Sequence, residues 1–157
     1  MRTNLVFLCL AILVVVVGVS ILGSNKGGPA AVLVPFTTIA EGPHSKVTSR
    51  VNYLIDTQEE LIELWEFLKE PPPVPMVDFN TKVVAAVFAG ETSTAGYGIA
   101  VAEVEDVDKR VVKIELTKPD EGCVLAQSVT APYQVIELPK TSLPFTHADT
   151  WTTKTCP

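Results

Sequence analysis

Val83-Val84-Ala85-Ala86-Val87-Phe88-Ala89, followed by Gly90-Glu91-Thr92-Ser93-Thr94-Ala95-Gly96-Tyr97-Gly98-Ile99, is the stretch that decides the fold. The first seven residues are an unbroken apolar run of strand length, the pattern of a buried central strand. The next nine, Gly90–Gly98, are three glycines, three hydroxyl residues, one tyrosine, Glu91 and Ala95, the composition of a loop. Ile99, Val101 and Val104 then space their apolar side chains as a half-exposed strand does. A buried strand, a polar loop and a second strand make a platform with a loop at its rim. Loops carried on such platforms are where binding residues concentrate.

Downstream, Tyr97–Asp106 and Arg110–Lys118 read as a hairpin around Asp106-Val107-Asp108-Lys109, with Val112, Ile114 and Leu116 alternating on the second arm. Pro119-Asp120-Glu121-Gly122 is a turn. Cys123–Thr130 reads as extended, Pro132 interrupts it, and Tyr133–Leu138 is a last strand. Residues 141–157 read as a polar C-terminal tail that contains Trp151.

Upstream lies one helix. Thr57-Gln58-Glu59-Glu60 is a capping box with Thr57 as N-cap. The two glutamates suit the positive end of the helix dipole. Leu61, Leu64, Trp65 and Leu68 follow at helical spacing and form one apolar stripe. Pro71-Pro72-Pro73 ends it. Trp65 on that stripe is a core residue, and Glu63, Glu66 and Glu70 form a solvated face. Before the helix, Val32–Ala40 and Lys46–Ile55 read as strands, the first at a sheet edge because of Pro35. Val47, Ser49, Val51, Tyr53 and Ile55 share one face of the second. The expected fold is α+β: a mostly antiparallel sheet of about 6–7 strands with one amphipathic helix (57–69) packed on it.

The N-terminus carries a different signal. Leu5–Leu22 is uncharged and almost wholly apolar, about 18 residues, enough to span a bilayer core. It exceeds the roughly 7–15 residues of a cleaved signal's apolar region, and no good small-x-small cleavage site follows it, the best candidate, Gly18-Val19-Ser20, lying inside the run. An uncleaved transmembrane signal anchor over residues 1–24 is therefore preferred to a removed signal peptide. Arg2 favours a cytoplasmic N-terminus, which places the domain outside the membrane. Cys9 reads as an ordinary membrane-segment cysteine. Residues 25–31 form a short tether, and 32–140 form the folded domain.

Hydrophobic residues make up 47% of the chain, a share that the N-terminal run inflates, and the formal net charge is −6. Arg2 and Lys26 lie in the N-terminal part, so the rest is more acidic still. Such a balance argues against nucleic acid as a partner. The chemical motifs are mostly missing. His44 and His147 have no cysteine or histidine neighbours at ligand spacing, so no metal site is expected. There is no nucleophile elbow, phosphate loop or dinucleotide fingerprint, and no cofactor is expected. Ser93, His147 and Asp149 could be written as a triad, but no spacing favours it. Asp120-Glu121 reads as a solvated turn. The expectation is a protein that is not an enzyme, an envelope hydrolase being the least supported alternative. Two readings stand side by side for Cys123 and Cys156: a disulfide closing a loop outside the cell, or two free thiols.

Asp78-Phe79, Gly90-Glu91, Thr94-Ala95-Gly96-Tyr97-Gly98-Ile99, Pro119-Asp120-Glu121-Gly122-Cys123, Gln127 and Thr130-Ala131-Pro132-Tyr133 together resemble the C-terminal domain of the PrcB family. The resemblance covers about Val51 to Lys140, Trp65 included. The family loop usually has Gly-Gly-Tyr, and here Ala95 precedes Gly96. PrcB-like proteins are small exported or lipid-anchored proteins named for a subunit of a cell-surface protease complex. The resemblance implies an accessory or binding domain without catalytic residues of its own.

On the residues themselves, Glu91, Thr92, Ser93, Thr94, Gly96 and Tyr97 form the candidate partner-binding loop. The hydroxyls, the permissive backbone and an amphipathic ring suit protein recognition. The competing reading is structural: the glycines shape the start of a strand and Tyr97 packs inward. The loop also resembles the Thr-Thr-Gly-Tyr/Phe loop of chagasin-type cysteine-protease inhibitors, which makes a protease inhibitor using the 91–98 loop the alternative reading; the family's Gly-rich and Arg-Pro-Trp loops are absent, so it stands second. The expected partner is a protein, to be sought among secreted or membrane proteases, with residues 5–22 holding the chain to the cell membrane.

Overall fold

A computed structural model describes residues 30–156. The expected membrane anchor and most of the tether lie outside the described residues. Among the described residues no helix is long and apolar enough to cross a membrane.

The described chain runs β1 (Val32–Leu33), β2 (Thr37–Gly42), β3 (Val51–Ile55), α1 (Gln58–Leu68), β4 (Lys82–Phe88), β5 (Gly98–Asp106), β6 (Arg110–Pro119), β7 (Tyr133–Pro139) and β8 (Phe145–Lys154). The α+β class and the amphipathic helix, the one helix among the described residues, agree with the sequence. One sheet does not: the eight strands divide into two four-stranded sheets, ordered β1-β5-β6-β8 and β2-β7-β4-β3. Both faces of β4 are apolar, and that is the physical reason. Val84, Ala86 and Phe88 pack with Leu61, Leu64, Trp65 and Leu68 of α1, joined by Tyr133 and Val135. Val83, Ala85 and Val87 pack with Val101, Val104, Val112 and Ile114 of the other sheet, joined by Ile136 and Leu138. Alternate residues of a strand face opposite ways, so a seven-residue apolar run has to be covered twice. The result is three layers, helix on sheet on sheet, with β4 and β7 in the middle.

The 141–157 segment is also corrected. It is not a trailing tail, because Phe145–Lys154 forms β8 and pairs in parallel with β6 from Arg110↔Phe145 to Pro119↔Lys154. Its side chains are mostly exposed and polar, so it lacks the apolar alternation that marks a strand, although threonine favours one. The chain reaches it through β7 in the other sheet, which leaves room for a parallel return. Lys46–Ile55 is likewise shorter as a strand than its alternation suggests. Only Val51–Ile55 is a strand, because the Lys46 amide is drawn to the Phe67 carbonyl, at 2.7 Å, near the end of α1. Cys123–Thr130 is irregular save for one bridge at Thr130.

Local signals work as the sequence implies at the helix. Thr57 Oγ1 accepts the Glu60 amide at 3.2 Å, and the Glu60 carboxylate accepts the Asp56 amide at 3.2 Å. Lys69 closes the helix in the left-handed region before the prolines. Asp78 starts β4 in a tight turn, accepting the Thr81 hydroxyl at 2.8 Å and the Asn80 amide at 3.2 Å. Those bonds, the Thr81 hydroxyl foremost, hold its carboxyl below the usual aspartate range.

Polar ties cross the gap between sheets. Gln134, buried on β7, accepts the Val101 amide at 2.6 Å and donates to Thr38 Oγ1 at 3.0 Å. Val101 borders a bulge in the β5–β6 ladder, where an amide needs such a partner. Arg110, only 3% exposed, forms a two-pronged pair with Asp106 at 2.7 Å, reaches the Pro139 carbonyl and lies over the Phe145 ring.

Candidate functional site

Gly90 sets the loop's take-off. Its φ of +86° suits glycine, and a Cβ there would sit 2.9 Å from the Arg50 backbone nitrogen. From this buried point the loop is fastened on two sides. The Glu91 amide donates to the Thr48 carbonyl at 3.0 Å. Thr92 and Thr130 form an isolated antiparallel bridge, with amide-to-carbonyl distances of 2.8 and 3.0 Å. Their hydroxyls lie 2.8 Å apart, and both approach the Thr94 carbonyl, at 3.1 and 3.3 Å. The Ala95 amide donates to the Ala126 carbonyl at 3.1 Å. Gly96, at φ +96°, passes against Pro119 and Leu125, and the chain enters β5 at Gly98.

The six candidate residues therefore divide. The Thr92 hydroxyl and the Thr94 carbonyl are occupied in holding the loop's shape. Tyr97 is half-buried. Glu91, Ser93 and Gly96 are exposed. The exposed groups belong to a loop whose backbone is ordered by its own bonds, which lowers the entropy cost of engaging a partner. Sequence reasoning missed the strap at Ala126–Thr130 that holds the loop. Thr130 lies far along the chain from Thr92, and nothing in spacing couples them.

The other flagged groups go elsewhere. Asp149 is bound by Arg50, with Nε and Nη2 at 3.0 and 2.8 Å from its two oxygens. Arg50 also donates to the Phe88 carbonyl at 3.1 Å, so this pair joins β8 to the loop's approach. His147 is exposed on β8 opposite Val112. The Glu121 amide closes on Asp120 Oδ1 at 2.7 Å, which makes that turn self-contained. Among the described residues no group of three or more His, Cys, Asp or Glu side chains is placed to hold a metal ion. Cys123 and Cys156 are bridged, with Cα atoms 5.6 Å apart.

These features define an α+β module of two facing sheets, stapled by a disulfide, with a pre-shaped loop at the end of its central strand. Residues 83–139, which run from the second residue of β4 to the end of β7 and include the rim loop, match the family model described as PrcB C-terminal. No curated protein and no solved structure matches the chain.

Proposed function

We propose that this protein is a membrane-anchored accessory domain that acts outside the cell membrane by binding a protein, with no catalysis of its own. Its partner on this reading is a cell-surface protease complex, which it serves as a subunit or modulator. The observation that carries the reading is the PrcB C-terminal match, whose span includes the whole rim loop. Two others support it. The apolar run Leu5–Leu22 suits a signal anchor, and the Cys123–Cys156 bridge suits an oxidising compartment. Glu91 and Ser93 are the side chains we assign to partner contact, since both are exposed on a loop that needs neither for its shape.

The test is affinity purification of the full-length protein from its own membranes beside a Glu91→Lys/Ser93→Arg variant. A protease recovered with the first and lost with the second supports the reading. Its activity with and without added protein then separates a helper from an inhibitor. Recovery of the same protease with both forms moves contact off the loop. No protease with either form refutes the subunit assignment.

A further inference from the structure

Four strands lie at sheet edges: β1, β8, β2 and β3. Edge strands present unpaired backbone groups, and proteins usually blunt them. β1 is two residues long. β2 carries a register shift between Thr38 and Ala40. β8 bears threonines, His147, Asp149 and Lys154. β3 has no such device. Val51-Asn52-Tyr53-Leu54-Ile55 contains no charge, proline or glycine and pairs only with β4. Arg50 Nη1 covers the Val51 carbonyl at 3.1 Å and leaves the rest of the edge open.

Crevices flank this strand on both faces. One, of about 610 Å³, runs between β3, residues 46–49 and α1, and is lined by Val47, Tyr53, Leu64 and Phe67, with Glu60 and Glu63 at its helix wall and Lys46, which forms no ion pair with either glutamate, also on its lining. The other, of about 170 Å³, opens between β3–β4 and β6–β8, lined by Leu54, Val87, Ile114 and Phe145 among others. Tyr53, Leu54 and Phe67 are each 47–49% exposed. A strand laid beside β3 would send successive side chains to opposite faces, hence into the two crevices in turn. Glu60 is engaged by the Asp56 amide, but Glu63 has no ion pair among the described residues. With a chain charge of −6, that wall favours a cation. It disfavours a second copy of this chain, because two-fold pairing along β3 would bring two glutamate-rich helices together.

We propose that β3 is a strand-addition site for an extended segment of a partner protein, with apolar side chains at alternate positions and a lysine or arginine opposite Glu63. The site shares with the accessory reading only the premise of a protein partner, and it uses no residue of the rim loop.

The probe is a fluorescein-labelled peptide, Lys-Val-Thr-Val-Lys-Val-Thr, titrated onto the full-length protein in detergent micelles and followed by anisotropy. Binding in the micromolar range is expected, with slowed amide exchange in residues 51–55. Leu54→Lys, a half-exposed change that spares the core, should weaken binding by about tenfold, a value within the span of single hot-spot residues. Glu63→Lys should weaken the lysine peptide and favour one carrying Glu in place of Lys. Glu91→Lys/Ser93→Arg should bind the peptide as wild type does, so failure of the loop reading leaves this one standing. Absence of binding up to about 1 mM peptide, the limit of useful affinity, would overturn the proposal. So would equal binding by Leu54→Lys without protection at 51–55. Sedimentation showing a wild-type dimer that Leu54→Lys dissociates would overturn it too, assigning the edge to a second copy.

Discussion

Removing the Cys123–Cys156 bridge is the most direct test of how β8 is held. The bridge closes 33 residues of chain. Loop closure of that length restricts the unfolded chain by an amount worth about 3–4 kcal/mol. For a domain of this size each kcal/mol moves the melting temperature by roughly 3–5 °C, so a fall of about 10–15 °C is expected. The loss also has a local component. The bridge sits just beyond the Pro119↔Lys154 pair, where β6 and β8 end together. Without it the last residues of β8 keep the ladder, the Asp120 amide on the Lys154 carbonyl at 3.0 Å, and the Thr152 hydroxyl on Glu115 at 2.9 Å. The first half of β8 keeps Arg50–Asp149 and the Phe145 contacts. Fraying should therefore start at the C-terminal end. The assay is thermal unfolding of the full-length protein and a Cys123→Ala/Cys156→Ala variant, with and without reductant, joined to hydrogen exchange. The variant should match the reduced wild type, and exchange should quicken at 150–154 before 145–149. A variant melting within about 2 °C of the oxidised wild type, less than 1 kcal/mol by the same conversion, would refute the reasoning. Two free thiols by mass spectrometry in protein from its own membranes would refute it as well.

Three further outcomes follow from single sites. Gly90→Ala should cost about 1–3 kcal/mol, because φ is +86° and the new Cβ meets the Arg50 backbone rather than a yielding side chain; chemical denaturation measures it. Gln134→Leu should cost about 1–3 kcal/mol by leaving the Val101 amide unpaired between the sheets, with exchange at Val101 rising first. Asp106 has its carboxyl lowered chiefly by the Arg110 hydrogen bond, against the opposing effect of burial. A lowered folded-state pKa means this stabilisation is fully present above the ordinary value of 3.8 and is lost as pH falls through the folded value. Asp106→Asn should accordingly flatten the acid limb below about pH 4, and at neutral pH cost about 2–3 kcal/mol by stranding the buried Arg110 charge, read from urea midpoints across pH.

The elements that announce themselves in the sequence are those whose burial is one-sided or whose ends are capped. α1 has both, and its stripe of Leu61, Leu64, Trp65 and Leu68 packs as the spacing implies. The β5–β6 hairpin falls within a residue or two of its expected bounds. β4 was legible as a buried strand, but an apolar run does not say what lies on each side of it. Counting one sheet instead of two comes from that ambiguity. β8 was illegible for the opposite reason: an edge strand with solvent on most of its side chains has no periodicity to read. The rim loop was legible as a loop, while its fastening was not, because Thr92 meets Thr130 only after β5, β6 and an irregular strap have been placed.

The family match begins at Val83 and ends at Pro139, which are nearly the first residue of β4 and the last of β7. That span supplies both sheets with their inner strands and supplies the β4–β7 face that Val84, Ala86, Phe88, Tyr133 and Val135 present to α1. It does not supply α1, β1, β2, β3 or β8. The cover over the central strands and the strands at all four sheet edges thus come from chain outside the matched segment, whereas the rim loop lies within it. A contact made through the loop would use a feature of the family segment. A contact made along β3 would use an edge framed by α1 and residues 46–49, which this chain contributes outside it. The two surfaces are separable by substitution for that reason, and a partner gripping both would lose one set of contacts at a time as each is changed.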